Sequence, residues 1–380
     1  MKICKRCIQP DTRPGIFFND HGICGACLWE EEKLSIDWKL REEELKKKVD
    51  WAKGHNQIYD CVIGISGGKD STKQALTAKD RFGLRCLLVN SEPENITDLG
   101  RKNIENLKNL GFDIISIRPN PLTMKKLIKK DFFEHLNPAK ITEFSLWAST
   151  YIIAEKFNIP LIIQGENSAL TLGVSLTGQS EDDNALNVDM QNTLKSGWQE
   201  YLKDDITEKD LFLFHYDKKI LEKKGIRAIW IQYYLKEWSQ YENAEFSKKY
   251  GFKWRDEYFD RDSIGTYCPY FQLDSDLTQV NQMHKFVKFG FGQCMDHVCY
   301  DIRENNITRN EAIELVKKYD GKCSDEYIKK FCQYINISMD EYWEIVNSFR
   351  GPMWTKDKNG NWINELTSIL DKEYRKISQI

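Results

Sequence analysis

Apolar and polar positions along the chain follow two regimes. Between about residues 58 and 164, short apolar runs alternate with amphipathic stretches. Ile58-Tyr59-Asp60-Cys61-Val62-Ile63-Gly64-Ile65 predicts a buried strand, followed by a glycine turn and a helix over about Ser71–Arg81. Residues 84–90 predict a second strand. Asp98–Leu110 predicts a helix opened by Thr97 or Asp98 and closed by Gly111. Residues 112–117 predict a third strand, Glu143–Phe157 another helix, and residues 161–164 a fourth strand. Strands alternating with helices of this size predict an α/β fold, a parallel sheet covered on both faces.

Elsewhere the pattern changes. In residues 29–53, apolar Leu34, Trp38, Leu45 and Val49 recur at roughly helical spacing among charges, which predicts one long solvated helix. After about residue 170 the alternation stops. Residues 174–210 are polar and acidic, with Glu181-Asp182-Asp183 and Asp204-Asp205, and predict loop and short helices. Residues 226–260 are aromatic and predict helix, as does most of 277–350. Asn310–Tyr319 is amphipathic behind a Thr308 cap, and Gly321 ends it. The expected units are 1–53, 54–225 with a polar insertion, and a helical 226–380.

Composition adds limits. The 380 residues are 41% hydrophobic and 30% charged with a formal net charge of -3, so nothing global favours a polyanion-binding surface. No run of eighteen apolar residues occurs, and no apolar signal region precedes the first cysteines, so a cytoplasmic location is expected, with no membrane partner. The 11 cysteines are an odd number in a long chain, unlike a disulfide framework.

Four of those cysteines carry chemistry. Cys4-x2-Cys7 and Cys24-x2-Cys27 have the spacing of a four-thiolate zinc site, with Pro10, Pro14, Gly15 and Gly22 suited to a tight ribbon between them. Four thiolates leave no open coordination position, so the expected zinc is structural, and residues 1–53 become a zinc ribbon with its connecting helix.

Ser66-Gly67-Gly68-Lys69-Asp70-Ser71 follows a predicted strand and opens a predicted helix. Two glycines let the backbone approach a ligand, and the N–H groups of the turn and of the helix start point at an anion. Ser66 and Ser71 offer hydroxyl donors and Lys69 a positive charge. Asp70 beside a phosphate is repulsive unless a cation lies between, so it implies Mg²⁺. The sequence is neither G-x-x-x-x-G-K-[ST] nor G-x-G-x-x-G. S-G-G-x-D-S after an apolar strand resembles the pyrophosphate loop of the PP-loop ATPases. In that superfamily the loop binds ATP and AMP is transferred to a substrate oxygen.

A wider resemblance covers almost the whole chain. The cysteine pairs, Pro10-Asp11-Thr12-Arg13-Pro14, the loop, Gln164-Gly165-Glu166-Asn167 and residues 284–292 resemble the bacterial N-acetyl sugar amidotransferases of surface-polysaccharide and nonulosonic-acid biosynthesis. Asp296-His297, Asp301-Ile302-Arg303, Thr308-Arg309-x-Glu311-Ala312 and Tyr319-Asp320-Gly321 match as well. Gln293-Cys294-Met295 stands where that family usually carries arginine and small residues. The resemblance implies an enzyme that adenylylates the acetamido oxygen of an N-acetylated sugar, as a nucleotide sugar or a nonulosonic acid. Ammonia then replaces that oxygen to give an acetamidino group, AMP and pyrophosphate. No segment resembles a glutaminase module, so the ammonia is expected from a separate glutaminase with a channel protein, resembling those of imidazole-glycerol-phosphate synthase.

The expected site follows. ATP is assigned to Ser66, Gly67, Gly68, Lys69, Asp70, Ser71, Asn90 and Gly165, with Asp70 on magnesium. Glu166 and Asn167, just past a strand end, are assigned to substrate or magnesium, with a helix cap as the alternative. Lys288, His297 and Arg303 are candidates for anionic contacts, or for structural ion pairs. Asp296 could orient His297 or accept a proton, and Asp70, Lys288, Asp296 and His297 form the expected catalytic set. Cys294 and Cys299 with His297 suggest a second metal site less well than buried thiols. A competing function is a PP-loop tRNA-thiolation enzyme, which needs a basic RNA surface that the charge does not favour. Another is a zinc-ribbon scaffold with a non-catalytic ATP site.

Overall fold

A computed structural model describes residues 1–174, 184–186, 194–203 and 205–377. The acidic stretch Glu181–Asp183 and Asp204 lie outside the described residues. The N-terminal turns lead into α1 (Gly25–Glu32) and α2 (Trp38–Lys53). The single helix expected over 29–53 is therefore two. Asp37 ends the first by capping the second, its side chain accepting from Lys39 N at 3.1 Å and Leu40 N at 3.0 Å. Leu34, read as part of the apolar face, is 87% exposed in the break.

The alternating region then runs β1 (Cys61–Ile65), α3 (Lys69–Leu76), β2 (Cys86–Ser91), α4 (Asp98–Asn109), β3 (Asp113–Ile117), α5 (Pro121–His135), α6 (Lys140–Phe157), β4 (Leu161–Gln164), α7 (Ser168–Thr171), α8 (Lys218–Lys223) and β5 (Arg227–Trp230). A π-helical turn over Thr77–Arg81 extends α3. All five strands are parallel, in the order β3-β2-β1-β4-β5. Side chains alternate across the sheet as the strand period requires. Val62, Leu87, Val89, Ile162 and Ala228 enter one core with Leu127 and Phe132 of α5 and Phe144 and Tyr151 of α6. Cys61, Ile63, Leu88, Ile163 and Ile229 enter the other with Leu45 and Val49 of α2, Leu76 of α3 and Leu107 of α4.

β5 corrects the expectation of helix over 226–260. Its four residues follow Gly225 and give way at once to a 3₁₀ turn at Ile231–Tyr234, so they are too short for a period to show. The sheet thus ends beyond residue 225. Only α9 (Gln240–Lys249) supplies an α-helix within that stretch. α5 is an element with no counterpart in the sequence expectation.

The rest is largely helical: α10 (Arg261–Ile264), α11 (Leu277–Phe289), α12 (Gln293–Arg303), α13 (Arg309–Tyr319), α14 (Asp325–Ile335) and α15 (Met339–Ser348). A hairpin of β6 (Trp354–Lys356) and β7 (Trp362–Asn364) follows, and α16 (Glu365–Ile377) closes the described chain. The expected cap of α13 is present as a capping box between Thr308 and Glu311. Val280 and Met283 of α11 and Phe331 of α14 share the α5–α6 core, which fuses this region to the sheet. Phe291, Met295, Val298, Ile313 and Leu370 instead pack on the N-terminal cysteines. No helix among the described residues is long and apolar enough to cross a membrane.

Candidate active site

The order of the strands reverses between β1 and β4. In an open parallel sheet the crevice beyond such a switch point is where ligands bind. The loop after β1, residues 66–68, and the loop after β4, residues 165–167, flank it. Gly67 has φ +73°, and a Cβ there would stand 3.1 Å from Ile104 Cδ1 and 3.2 Å from Asn103 Cβ, so the turn needs glycine. Gly68 is the N-cap of α3 and carries no capping side chain, which leaves the helix-start N–H groups directed at the crevice. Ser71 and Thr72 turn their hydroxyls back onto the Gly68 carbonyl, at 3.1 and 2.9 Å.

Residues 270–274 roof the loop. Together with Ser66–Asp70, Gly100 and Asn103 they enclose a cavity of about 170 Å³. Gly100 permits this, since a Cβ there would meet Asp274 Cα at 2.8 Å. Lys69 is buried, its ammonium 2.6 Å from Asp70 Oδ2 and 4.0 Å from the centre of the Phe271 ring. Asn243 of α9 donates from Nδ2 to Asp70 Oδ1 at 2.7 Å, while its own Oδ1 has no partner among the described residues. Phe271 stacks on the His297 imidazole at 3.9 Å, and His297 Nδ1 meets Thr266 Oγ1 at 2.6 Å. Burial pushes His297 down to about 3, so the ring is neutral.

Glu166 faces the same crevice. Burial, and next the negative charge of Asp70, push its carboxyl up to about 7. The Asp70 and Glu166 carboxylates, near enough for the charge of one to raise the other, are hard oxygen donors of the kind Mg²⁺ takes. Asp296 shares in raising Glu166 and is itself clamped. Arg13, reaching in from the N-terminal turns, pairs with Asp296 Oδ1, and Lys285 Nζ sits 2.6 Å from Oδ2. Burial works to raise Asp296, but the Arg13 and Lys285 charges outweigh it and hold the carboxyl below the ordinary range.

The cysteine quartet is fully buried. Cys4 and Cys27 sulfurs are 3.9 Å apart, and those of Cys7 and Cys24 3.7 Å. Four sulfurs at about 2.3 Å from a common centre lie roughly 3.8 Å apart in a tetrahedron, so the set fits a structural zinc. Backbone N–H groups of Gln9 and Cys24 donate to the Cys7 and Cys4 sulfurs, at 3.4 and 3.3 Å. Arg309 of α13 donates to the carbonyls of Cys4, Arg6 and Cys7, stitching the first knuckle to the C-terminal helices.

Other expected residues are placed as follows. Asn90 is buried at the end of β2, in register with Ile65. A Cβ on Gly165 would stand 2.8 Å from Gln74 Oε1, so this glycine admits close packing beside the loop. The Asn167 side chain caps α7, accepting from Ala169 N at 3.0 Å. Lys288 lies apart from the crevice, donating to the His135 carbonyl at 2.8 Å, where burial and Lys140 lower it to about 8. Arg303 donates to the Thr171 carbonyl at 3.2 Å, behind the β4 loop. Metal-ligating clusters among the described residues are the cysteine quartet and Asp131–His135–Glu200. The second already has the Lys140 ammonium 2.5 Å from Glu200 and Tyr201 and Ile141 on Asp131. Cys294, His297 and Cys299 form no such cluster; Cys294 Sγ turns to the Leu315 carbonyl at 3.5 Å. Gln293, Cys294 and Met295 are all buried, and two of them enter the core beneath the ribbon.

Sequence reasoning missed Thr266, Phe271 and Asn243, which reach the crevice from segments carrying no motif. Arg13 had a signal, as part of Pro10-Asp11-Thr12-Arg13-Pro14, but no role was assigned to it.

Residues 241–367 match a family model described as the C-terminal domain of LPS biosynthesis protein WbpG-like. The match begins in α9 and ends in α16, so it takes in Asn243, Thr266, Phe271, Asp296 and His297 but neither the glycine loop nor the ribbon. No curated protein matches the chain. The final third of the chain is thus similar to the WbpG-like C-terminal domain, a likeness that supports the N-acetyl sugar amidotransferase family of polysaccharide biosynthesis.

Proposed function

We propose that the chain is an ATP-dependent, AMP-forming amidotransferase acting on an acetamido sugar. The observation that carries this reading is the switch-point crevice, where a glycine turn, a bare helix start and Lys69 face two carboxylates, Asp70 and Glu166. The turn and helix start suit a polyphosphate. Asp70 and Glu166 would hold magnesium, which supplies neutralising charge to the phosphates, and Asn243 orients Asp70.

In the proposed reaction the acetamido oxygen bonds to the α-phosphorus of ATP and the bond to pyrophosphate breaks. Ammonia adds to the activated carbon, its surplus protons are lost, and the carbon–oxygen bond breaks. The oxygen departs on AMP, and an acetamidino group remains. Lys69, held between Asp70 and Phe271, places positive charge at the loop. The Phe271 roof and the small cavity exclude water from the activated carbon. Asp296 and His297 act through neighbours: Asp296 fixes Arg13 and Lys285, and neutral His297 with Thr266 holds Phe271 in place. Ammonia comes from a separate glutaminase with a channel protein.

The test incubates the purified chain with ATP, Mg²⁺, ammonium and N-acetylated sugars. The expected result is sugar-dependent release of AMP and pyrophosphate, with a product lighter than its acceptor by about one mass unit, as replacement of a carbonyl oxygen by NH requires. ADP release, or turnover undiminished in Asp70→Ala, overturns the proposal.

A further inference from the structure

A second cavity, of about 490 Å³, lies at the β5 edge of the sheet. That volume falls within the range of small-molecule sites. Its place relative to the crevice is fixed by contacts. Trp147 of α6 lines it and packs edge-on against Trp230, with ring centres 5.6 Å apart. Trp230 ends β5 in register with Gln164, the residue before Gly165 and Glu166. The cavity therefore sits beside the carboxyl end of the β4–β5 pair. β2 and Asn90, assigned to the nucleotide side, lie on the opposite flank of the loop strand β1.

Its lining has a distinct chemistry. Trp198 stacks on His215 at 3.9 Å, and Tyr216 stacks on Tyr151 at 4.2 Å while donating to the Leu186 carbonyl at 2.7 Å. These contacts fix the aromatic surfaces before any ligand arrives, which lowers the ordering cost of binding. Lys195 and Lys218 stand exposed at the rim, Lys218 with Glu222 at 3.6 Å. Among the described residues that line the cavity there is no aspartate or glutamate, although the chain has 58 acidic residues against 55 basic. An aromatic wall suits the C–H face of a pyranose or the face of a base. Lysines at the rim, with no carboxylate among the described lining residues, suit an attached anion.

We infer that this cavity binds the anionic, ring-bearing end of the sugar substrate, holding it while the acetamido group reaches across the β4 loop to the crevice. The inference rests on the proposed function for the identity of the substrate and on the cavity for the binding. The shared ligand chemistry, a ring joined to a negative group, has two sources: the nucleotide diphosphate of a nucleotide sugar, or the carboxylate of a free nonulosonic acid.

Calorimetric titration at fixed ionic strength separates them, with UDP-N-acetylglucosamine, N-acetylneuraminate and neutral N-acetylglucosamine as probes. At least one anionic probe should bind ten times or more tighter than the neutral sugar, and which one does identifies the source. Lys195→Glu, at an exposed rim position, should weaken that binding by ten times or more, Trp198→Ala likewise, and Trp198→Phe should retain most of it. Equal binding of charged and neutral probes, or anionic binding unmoved by Lys195→Glu in the folded protein, overturns the inference. The two readings fail separately. Sugar-dependent AMP release whose KM for sugar ignores Lys195→Glu and Trp198→Ala overturns the cavity and leaves the proposed reaction standing. Charge-selective binding lost in both variants, without AMP release from any sugar, sustains the cavity and removes the reaction.

Discussion

Arg13 and Asp296 form a buried ion pair across 283 positions of sequence, joining the N-terminal turns to helix α12. Lys285 shares the carboxylate from its other side. Removing the carboxylate strands two cations, Arg13 buried and Lys285 partly so, whereas removing Arg13 leaves Asp296 one partner. Asp296→Ala should therefore destabilise more than Arg13→Ala, by about 3–5 kcal/mol against a smaller loss. Denaturant unfolding of both variants and of the double variant measures it. A double variant no worse than Asp296→Ala alone is the expected sign of coupling.

The cysteine quartet that fits a structural zinc packs in the same region. One zinc per chain is expected by elemental analysis, and Cys7→Ser should remove it. Since the cysteines share a core with Phe291, Met295 and Leu370, zinc loss should loosen α12, α13 and α16 as well. A chelator should lower Tm by about 5 °C or more, at roughly 2 °C per kcal/mol for a chain of this size. Hydrogen exchange should then rise in α12 and α13 before the sheet strands.

Gly67→Ala tests the turn. With φ at +73° and neighbours 3.1–3.2 Å from the added Cβ, it should cost about 1–2 kcal/mol. The shift it forces on the loop should lower AMP release by about a hundredfold, the usual penalty for an ångström of misplacement. Gly225, also at positive φ but with open space around it, should show the strain without the loss of activity.

The pH dependence of turnover should follow Glu166. Its carboxyl is pushed up to about 7, so the charged form that the proposed magnesium site needs dominates only above that pH. AMP release should rise with pH through 7, and added Mg²⁺ should move the rising limb to lower pH because the cation favours the charged form. Glu166→Gln should flatten the limb and raise the Mg²⁺ requirement by about tenfold or more.

Asp131 makes a stability prediction of opposite sign to the usual carboxylate. Burial lifts it to about 7 in the folded chain, while unfolding returns it to about 4. Between those values the folded state holds more protons, so its contribution is fully present below about pH 4 and is lost as pH rises towards 7. Asp131→Asn should therefore gain on the parent chain as pH is raised from 5 to 8, by at most about 1.4 kcal/mol per pH unit inside that window. Melting curves of the pair across this range measure the difference.

What could be read from sequence was what lies close together in sequence. Residues 58–65, 84–90, 112–117 and 161–164 gave β1 to β4 because apolar runs and turn residues sit side by side. The loop and the cysteine quartet were legible for the same reason. α5 was legible too, from Asn120, Pro121 and the spacing of Met124, Leu127 and Ile128, yet went unassigned. β5 was not, since four residues carry no period. The roof of the crevice was also hidden: Asn243 meets Asp70 from 173 positions away, and Phe271 meets Lys69 through a ring contact with no sequence signature.

The Arg309 clamp on Cys4, Arg6 and Cys7 spans about three hundred residues. During synthesis the knuckles emerge before the helices they dock on, so the ribbon has no docking surface until α12, α13 and α16 are made. A zinc ion held by the four thiolates would be their shield until then. Docking of the N-terminal turns on α12 therefore follows synthesis of the sheet, and because it carries Arg13 to Asp296, a polypeptide interrupted before α12 has a finished glycine loop but lacks this ion pair.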